Sequence, residues 1–408
     1  MNRVIVTGYF YKHNLGDDTF EYIWNHILQQ VPNITFSIVD FDKLKNIPVD
    51  SVDTIILAGG NLLLDYFCKH LDKYKHKRIL GFSLGMPYKG FCFTSNILDH
   101  FDHIECRSKL DTKLLNKCYQ LPIAHWTPDI SVLLPQIIHT NSNTITLPHF
   151  ENKLNVGVCL TRPIVNSPNY HDVLKSFATF INEITKTNQF HIFLIPFDTN
   201  TKSNTNCDLF INNDLLDLID TRHVTNITNT LTVPEMCLAF QSLDINICMR
   251  FHSIMYSLIY NVPFIPVFTT PKVQELLNDL NYSPSYPLPT ENDLPTCLDP
   301  NKLLDTFYSV LNKQPLLYPT LNPISIDYFI KHVSEIIHKP IQKHTRTHSL
   351  QHLLEIISQE HGKNEIAQII CNYFGSNKYH YGLASKLPLD TLNLTQELEW
   401  IWNDTQKH

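Results

Sequence analysis

Thr54-Ile55-Ile56-Leu57-Ala58-Gly59-Gly60-Asn61 is an apolar, β-branched run that stops at two glycines. It does not alternate apolar with polar residues. The strand it predicts is therefore covered on both faces, as in a parallel sheet between layers of helices. The same kind of run recurs on either side of it, at Arg3–Gly8, Thr35–Asp40, Arg78–Ser83 and His103–Arg107. Between the runs lie helical patterns. Asp18–Gln30 places Phe20, Ile23, Trp24 and Ile27 on one face, and a further helix is expected from about Leu62. Strands separated by helices imply right-handed βαβ units and an α/β fold.

From Gln136 to Leu154 the chain turns polar, through His139-Thr140-Asn141-Ser142-Asn143-Thr144, which reads as a linker. A second α/β series follows. Strands are expected at Asn155–Leu160, His191–Pro196, Ile245–Met249 and Phe264–Phe268, and helices at Tyr170–Thr185, Asp208–Ile219 and His252–Tyr260. Thr232-Val233-Pro234-Glu235 has the composition of a capping box and opens another helix through about Leu243. The division this predicts is a first domain over residues 1–138, a second over 155–322 and a helical extension over 323–408. Within the extension, Ser325–His338 reads as a helix that packs back on the body. Gln342–Ser349 reads as a polar linker, and residues 350–408 as two or three helices without a strand. Two open sheets joined by a linker make a cleft, and ligands of such sheets bind beyond the carboxyl ends of the strands.

Of the 408 residues, 43% are hydrophobic and 17% charged, a globular composition able to bury a full core. The net charge of −7 gives no reason to expect nucleic acid as a partner, so an anionic substrate would need a local basic pocket. The apolar run after Met1 is too short for a signal-peptide core, and no stretch approaches the roughly 18 apolar residues of a membrane span. A cytoplasmic protein is expected. The ten cysteines form no CxxC pair and read as buried free thiols. The 21 histidines include no HExxH, so no metal site is expected. With only 11 glycines in the chain, those that end an apolar run carry extra information.

Four places hold candidate chemistry. The loop Gly8-Tyr9-Phe10-Tyr11-Lys12-His13-Asn14-Leu15-Gly16-Asp17 opens a helix, whose free N–H groups favour an anion or a substrate. It is not GxGxxG, which argues against a dinucleotide site. Gly59-Gly60-Asn61 allows close backbone approach. Arg107 and Arg162 each follow a strand and are candidate substrate-facing cations. Most pointed is Met249-Arg250-Phe251-His252-Ser253, at a strand–helix junction. Arg250 offers a planar fork for carboxylate or phosphate and His252 a proton donor or acceptor, while Lys272, after the next strand, adds a second cation. The plainer reading of this junction is that His252 caps the helix and Arg250 pairs with a structural carboxylate.

In order along the chain, these segments resemble the polysaccharide pyruvyl transferase family. Gly8 with Asn14-Leu15-Gly16-Asp17 is similar to its G-x-x-N-x-GD signature, and Ala58-Gly59-Gly60-Asn61-Leu62 to its GGGxL turn, with Ala58 at the first glycine. Arg107-Ser108-Lys109-Leu110-Asp111 resembles RDxxS with aspartate and serine exchanged. Pro128-Asp129 matches the PD that follows, and Arg162 falls where the family has an arginine. Arg250-Phe251-His252-Ser253 matches RLHS and Pro271-Lys272-Val273 matches PKV. The resemblance covers roughly residues 1–285, and residues beyond about 310 have no counterpart in it.

The resemblance implies two Rossmann-like domains facing across a cleft, as in GT-B glycosyltransferases. It implies transfer of the enolpyruvyl group of phosphoenolpyruvate to two hydroxyls of a sugar or glycan acceptor, giving a pyruvate ketal and phosphate, with no cofactor beyond that donor. His252 and Asp17 are then the expected catalytic residues. Arg250, Lys272, Arg162, Arg107, Asn14, Gly16, Gly59, Gly60 and Ser253 are the expected substrate-binding set. The departures at Ala58, Ser108 and Asp111 bear on the acceptor or on the level of activity. Two alternatives stand beside this: a GT-B glycosyltransferase using a nucleotide sugar, and a non-catalytic glycan-binding or assembly relative. The sequence does not determine the oligomeric state.

Overall fold

In the computed structural model the described residues are 1–87, 96–119, 121–138, 147–148, 150–161, 170–202, 207–267, 270–282, 298–312 and 324–341. Arg162, part of the expected linker (139–146 and 149), and the helices expected in 350–408 lie outside them.

The first sheet holds β1 (Asn2–Gly8), β2 (Ile34–Asp40), β3 (Thr54–Leu57), β4 (Arg78–Leu84), β5 (His103–Cys106) and β6 (Ala124–Trp126), in the order β2-β1-β3-β4-β5-β6. The second holds β7 (Leu154–Cys159), β8 (Phe190–Leu194), β9 (Val224–Asn226), β10 (Ile245–Cys248) and β11 (Phe264–Pro266), in the order β11-β10-β7-β8-β9. Every strand pair is parallel. β3 and β4 are buried at every position, as an unalternating run requires. Strand order reverses between β1 and β3 in one sheet and between β7 and β10 in the other. These are the points where open α/β sheets bind ligands.

The longer helices are α1 (Leu15–Leu28), α2 (Lys109–Tyr119), α3 (Tyr170–Thr185), α4 (Asp208–Leu216), α5 (Val233–Gln241), α6 (Phe251–Ile259), α7 (Pro271–Asp279), α8 (Pro300–Asn312) and α9 (Ile326–His338). The capping box forms at α5. The Thr232 hydroxyl accepts from the Glu235 N–H, and the Glu235 carboxylate accepts from the Thr232 N–H at 2.7 Å. The helix expected from Leu62 is a correction. Leu62 and Leu63 are buried turn residues, and only Asp65–Cys68 is helical. β6 and β9, at three residues each, are too short to show a period.

One core joins the two domains. Phe20, Ile23 and Trp24 of α1 pack in the same cluster as Phe193, Phe240 and Tyr256. Polar contacts follow the same line: Thr19 Oγ1 lies 2.8 Å from the Tyr256 hydroxyl, and the Leu15 N–H donates to the Phe197 carbonyl at 2.8 Å. Beyond the second domain, α9 returns to the first sheet. Its Phe329 rests against Trp24 and Phe82, and the Arg78 guanidinium donates to the carbonyls of Ile337 and Lys339. Among the described residues, Cys68, Cys106, Cys159, Cys207, Cys237 and Cys248 are buried free thiols, and no helix is long and apolar enough to cross a membrane.

Candidate active site

The carboxyl ends of the strands in both sheets open on one cleft of about 490 Å³, mouth included, lined by Asn14, Asp17, Gly60, Asn61, Arg107, Phe197, Arg250, Phe251, His252 and Lys272. Asn14 and Asp17 follow β1, Gly60 and Asn61 follow β3, and Arg107 follows β5. Phe197 follows β8, Arg250 to His252 follow β10, and Lys272 follows β11. The cleft thus receives the first turns of three helices, α1, α6 and α7. Each brings the positive end of its dipole toward the cleft, an arrangement that favours an anion.

Local backbone conformation aims these residues. Asn14 caps α1, its side chain accepting from the Gly16 N–H at 3.1 Å, and the loop before it holds Tyr11 and His13 at positive φ. Non-glycine residues there are strained, and strain of this kind concentrates at functional sites. Gly59 and Gly60, at φ of 110° and 86°, turn the chain sharply out of β3. Only Gly60 borders the cleft. A side chain at Gly59 would run into Phe20, so Gly59 is a packing residue and not the ligand contact expected of it.

Gly16 acts through His252. A Cβ at Gly16 would lie 2.1 Å from His252 Nδ1, so the missing side chain is the space the imidazole occupies. The ring is further held edge-on by Phe20 at 5.4 Å and Phe251 at 5.2 Å. Its Nε2 is buried without a hydrogen-bond partner among the described residues, 4.0 Å from Asp129 Oδ2. Burial is the main cause that pushes the His252 pKa down to about 3. Asp129 opposes it, and Arg107, Lys272 and Arg250 add to it. The imidazole is therefore neutral, and of the two expected roles, proton donor or acceptor, this suits the acceptor.

The three cations differ. Arg107 is tied on both sides, Nη1 donating to Asp129 at 3.1 Å and Nη2 to Asn61 at 2.7 Å, and its guanidinium lies 4.1 Å over the Phe251 ring from the other domain. Arg250 is the N-cap of α6 and pairs with Asp208, its Nε lying 3.2 and 3.1 Å from the two carboxylate oxygens. The plainer reading of Arg250 thus holds in part: it is both ion-paired and on the cleft wall. Asp208 is fully buried and also accepts the N–H groups of Phe197 and Asp198, so one carboxylate fixes the β8 turn and the arginine together. Lys272 has no hydrogen bond or ion pair from its ammonium among the described residues. Burial, followed by repulsion from Arg107 and Arg250, lowers its pKa to about 8.

Asp17 faces these cations, yet burial outweighs them and raises its pKa to about 7. Asp198, bridged to Asn14 across the domains, is raised to about 6, again by burial first, with Arg250 opposing. Ser253 is a further correction. It is fully buried inside α6, donates to the Arg250 carbonyl at 2.6 Å and does not reach the cleft. Sequence reading missed Asn61, Phe197, Phe251, Asp198 and Asp208 as site residues. Asn61 had the GG-N turn as a signal. Phe251 had its place between Arg250 and His252, and Phe197, Asp198 and Asp208 are brought in only by the tertiary fold.

The two motif departures resolve structurally. Ala58 is buried, and its carbonyl accepts from Trp24 Nε1 at 3.2 Å, so the position lies in the core and not at the cleft. Ser108 precedes α2, its hydroxyl accepting from the Asp111 N–H at 3.3 Å, while the Asp111 carboxylate accepts from the Met86 N–H at 2.9 Å. Exchanging aspartate and serine between these positions leaves a cap residue and its partner three residues on, which is what the start of α2 needs.

The family described as polysaccharide pyruvyl transferase matches residues 14–269. No curated protein matches the sequence. Among solved structures, the UDP complex of Staphylococcus aureus MnaA is similar at 8% identity and a TM-score of 0.60, covering 85% of this chain and 100% of that one. The UDP-GlcNAc 2-epimerase of Methanocaldococcus jannaschii with UDP-GlcNAc and UDP is similar at 13% identity and 0.54, covering 82% and 100%. The Neisseria meningitidis UDP-GlcNAc 2-epimerase bound to UDP-GlcNAc is similar at 11% identity and 0.52, covering 83% and 100%. At these identities the likeness shows the fold: two Rossmann-like domains across a cleft, the GT-B arrangement.

Proposed function

Because this chain belongs to the polysaccharide pyruvyl transferase family and is a transferase, we propose that it takes phosphoenolpyruvate as donor and forms a cyclic pyruvate ketal on two hydroxyls of a sugar. The observation that carries the reading is the meeting, in one cleft, of Arg107, Lys272 and Arg250 with a carboxyl group poised near neutrality. Phosphoenolpyruvate is small and carries both a carboxylate and a phosphate. Three cations and three helix N-termini suit it.

Protonated Asp17 gives its proton to the methylene carbon of the donor. The first sugar hydroxyl adds to the adjacent carbon and passes its proton to His252. That imidazole is neutral in the empty cleft, and an anion among the three cations offsets their repulsion of its positive form. The phosphate departs with the electrons of its C–O bond and takes the proton from His252. The second hydroxyl closes the ketal and returns a proton to Asp17. One hydroxyl proton ends on phosphate and the other regenerates Asp17, so the site is restored after each turnover. Lys272 and Arg107 hold the anionic groups. Arg250, fixed by Asp208, adds its charge and frames the wall.

The test is phosphate release from phosphoenolpyruvate with a panel of free, lipid-linked and polymeric sugars, and mass spectrometry of the acceptor for the ketal. Thermal-shift titrations with phosphoenolpyruvate and with UDP-sugars run alongside it. Stabilisation by phosphoenolpyruvate with ketal formation is the expected result. Stabilisation by a nucleotide sugar alone would replace this reading with glycosyl transfer, and stabilisation by neither would leave a glycan-binding relative.

A further inference from the structure

A second cluster lies away from the cleft, where α9 crosses the first sheet. His103 and Glu105 are two apart on β5 and so share a face. Helix α9 brings His332 onto that face. His103 Nε2 lies 2.9 Å and His332 Nε2 2.6 Å from the same oxygen, Glu105 Oε1. The three ligand atoms all lie within 4.8 Å of one another. A carboxylate oxygen only accepts, so both imidazoles donate to it from Nε2. The other oxygen, Oε2, is buried with no hydrogen-bond partner among the described residues, and Glu105 as a whole is 1% exposed. A buried carboxylate with an idle oxygen is costly unless a cation serves it.

The surroundings hold the two rings in place. His103 is flanked by His125, stacked at 5.3 Å, and by Phe82 at 5.6 Å. His332 stacks on Tyr328 at 6.1 Å and touches Phe329. The helix itself is docked by other contacts, among them Phe329 and the Arg78 bonds to its last turn. The ligands are therefore presented by two elements that are already fixed, as a preformed metal site requires.

We propose that His103, Glu105 and His332 bind one divalent transition-metal ion of the zinc class, which ties α9 to the first sheet. Two imidazole nitrogens and one carboxylate oxygen suit a borderline ion and not magnesium or calcium, which take oxygen ligands. The set leaves one position for water, and solvent reaches it past His332, whose side chain is 29% exposed. Binding takes the Nε2 lone pair of each imidazole, so the ring proton of each moves to Nδ1. The two His–Glu pairs, now at hydrogen-bond spacing, spread to about 3.3 Å, the edge of a tetrahedron with bonds of about 2.0 Å. By strand rise His103 lies about 13 Å from Arg107, at the amino end of β5, whereas the cleft opens at the carboxyl end. The proposal does not rest on the reaction proposed above.

The experiment uses the full chain, stripped with a chelator and dialysed against zinc. Because there are 21 histidines, a His26→Asn variant serves as a control for adventitious binding. The expected result is one tight equivalent of zinc per chain, a melting temperature that rises with zinc, and an X-ray absorption spectrum with an imidazole shell. His332→Asn and Glu105→Gln should each weaken zinc binding by about 100-fold or more, while His26→Asn should not. Equal binding by both cluster variants, or the lack of a tight equivalent in the unaltered chain, overturns the proposal. Should the variants fail to fold, the absorption spectrum of the unaltered chain decides. A shell without imidazole refutes the site.

Discussion

Asp17→Asn should make the protein more stable and less active. Burial raises the Asp17 carboxyl from its usual 3.8 to about 7, against the pull of Lys272 and Arg107. A group whose folded pKa is raised binds its proton more tightly in the folded state. Stability therefore falls as pH climbs from the unfolded value, near 4, to the folded value, near 7, and is level above that. At about 1.4 kcal/mol per pKa unit, ionising Asp17 costs the fold at most about 4 kcal/mol above pH 7. The carboxyl borders an open cleft, and solvent screening brings this to about 1–3 kcal/mol. The amide that replaces the carboxyl in the variant carries no such cost. At about 2–4 °C per kcal/mol for domains of this size, the variant should melt about 2–12 °C higher at pH 8. The gain should shrink as pH falls and be gone near pH 4. Phosphate release from phosphoenolpyruvate should drop by about 10² or more, since proton transfer by a placed group is worth that much. A variant that melts lower than the unaltered protein at pH 8, or a gain that does not change between pH 4 and pH 8, would refute the reasoning.

Gly16→Ala should cost about 10²-fold in kcat while leaving the melting temperature within a few degrees. The new methyl displaces the His252 imidazole by about 1 Å, and the better helix propensity of alanine offsets part of the overpacking; activity within threefold would contradict the cradle. Arg250→Ala leaves fully buried Asp208 without its partner and should cost about 3–5 kcal/mol by denaturant titration. Adding Asp208→Asn should recover much of the stability but not the activity. Lys272→Met should raise KM for phosphoenolpyruvate. In the unaltered protein that KM should rise as pH passes about 8, where the ammonium loses its proton, and the variant should lack the rise. Calorimetry of phosphoenolpyruvate binding in buffers of different ionisation enthalpy should report proton uptake near pH 7–8, which Asp17→Asn should diminish.

Most of the fold was legible because buried parallel strands write themselves as unbroken apolar runs. Thr54–Leu57 and Ile245–Cys248 fell where expected for that reason. The runs also give their own carboxyl ends, and with them Asp17, Arg107, Arg250, His252 and Lys272. What they do not give is which side chain meets which. Nothing local announces that Gly16 is small because His252, from the other domain, fills its place. Asp208 begins a helix with no mark of pairing to Arg250, 42 residues on. His332 lies 227 residues from Glu105, so no ligand spacing shows it. Ser253 misled for the opposite reason: its place in a motif beside His252 suggested the cleft, whereas one step along the helix turns it into the core.

The two groups named as acid and base respond oppositely to the same burial. Desolvation disfavours the charged form, so it pushes a carboxylic acid up and an imidazole down. Asp17 and His252 share one cleft, and the empty site therefore holds a carboxyl that is half protonated at neutral pH and an imidazole that is not protonated at all. A donor anion changes the balance. Its negative charge raises both pKa values further, by repelling the Asp17 carboxylate and by cancelling the field of Arg107, Lys272 and Arg250 at His252. In the proposed reaction, binding would thus favour the protonated form of Asp17, which the methylene carbon needs, and shift His252 toward taking a proton from a sugar hydroxyl. On the proposed mechanism the donor would tune both the acid and the base as it binds, and phosphate departure, which removes most of that charge, would reset them.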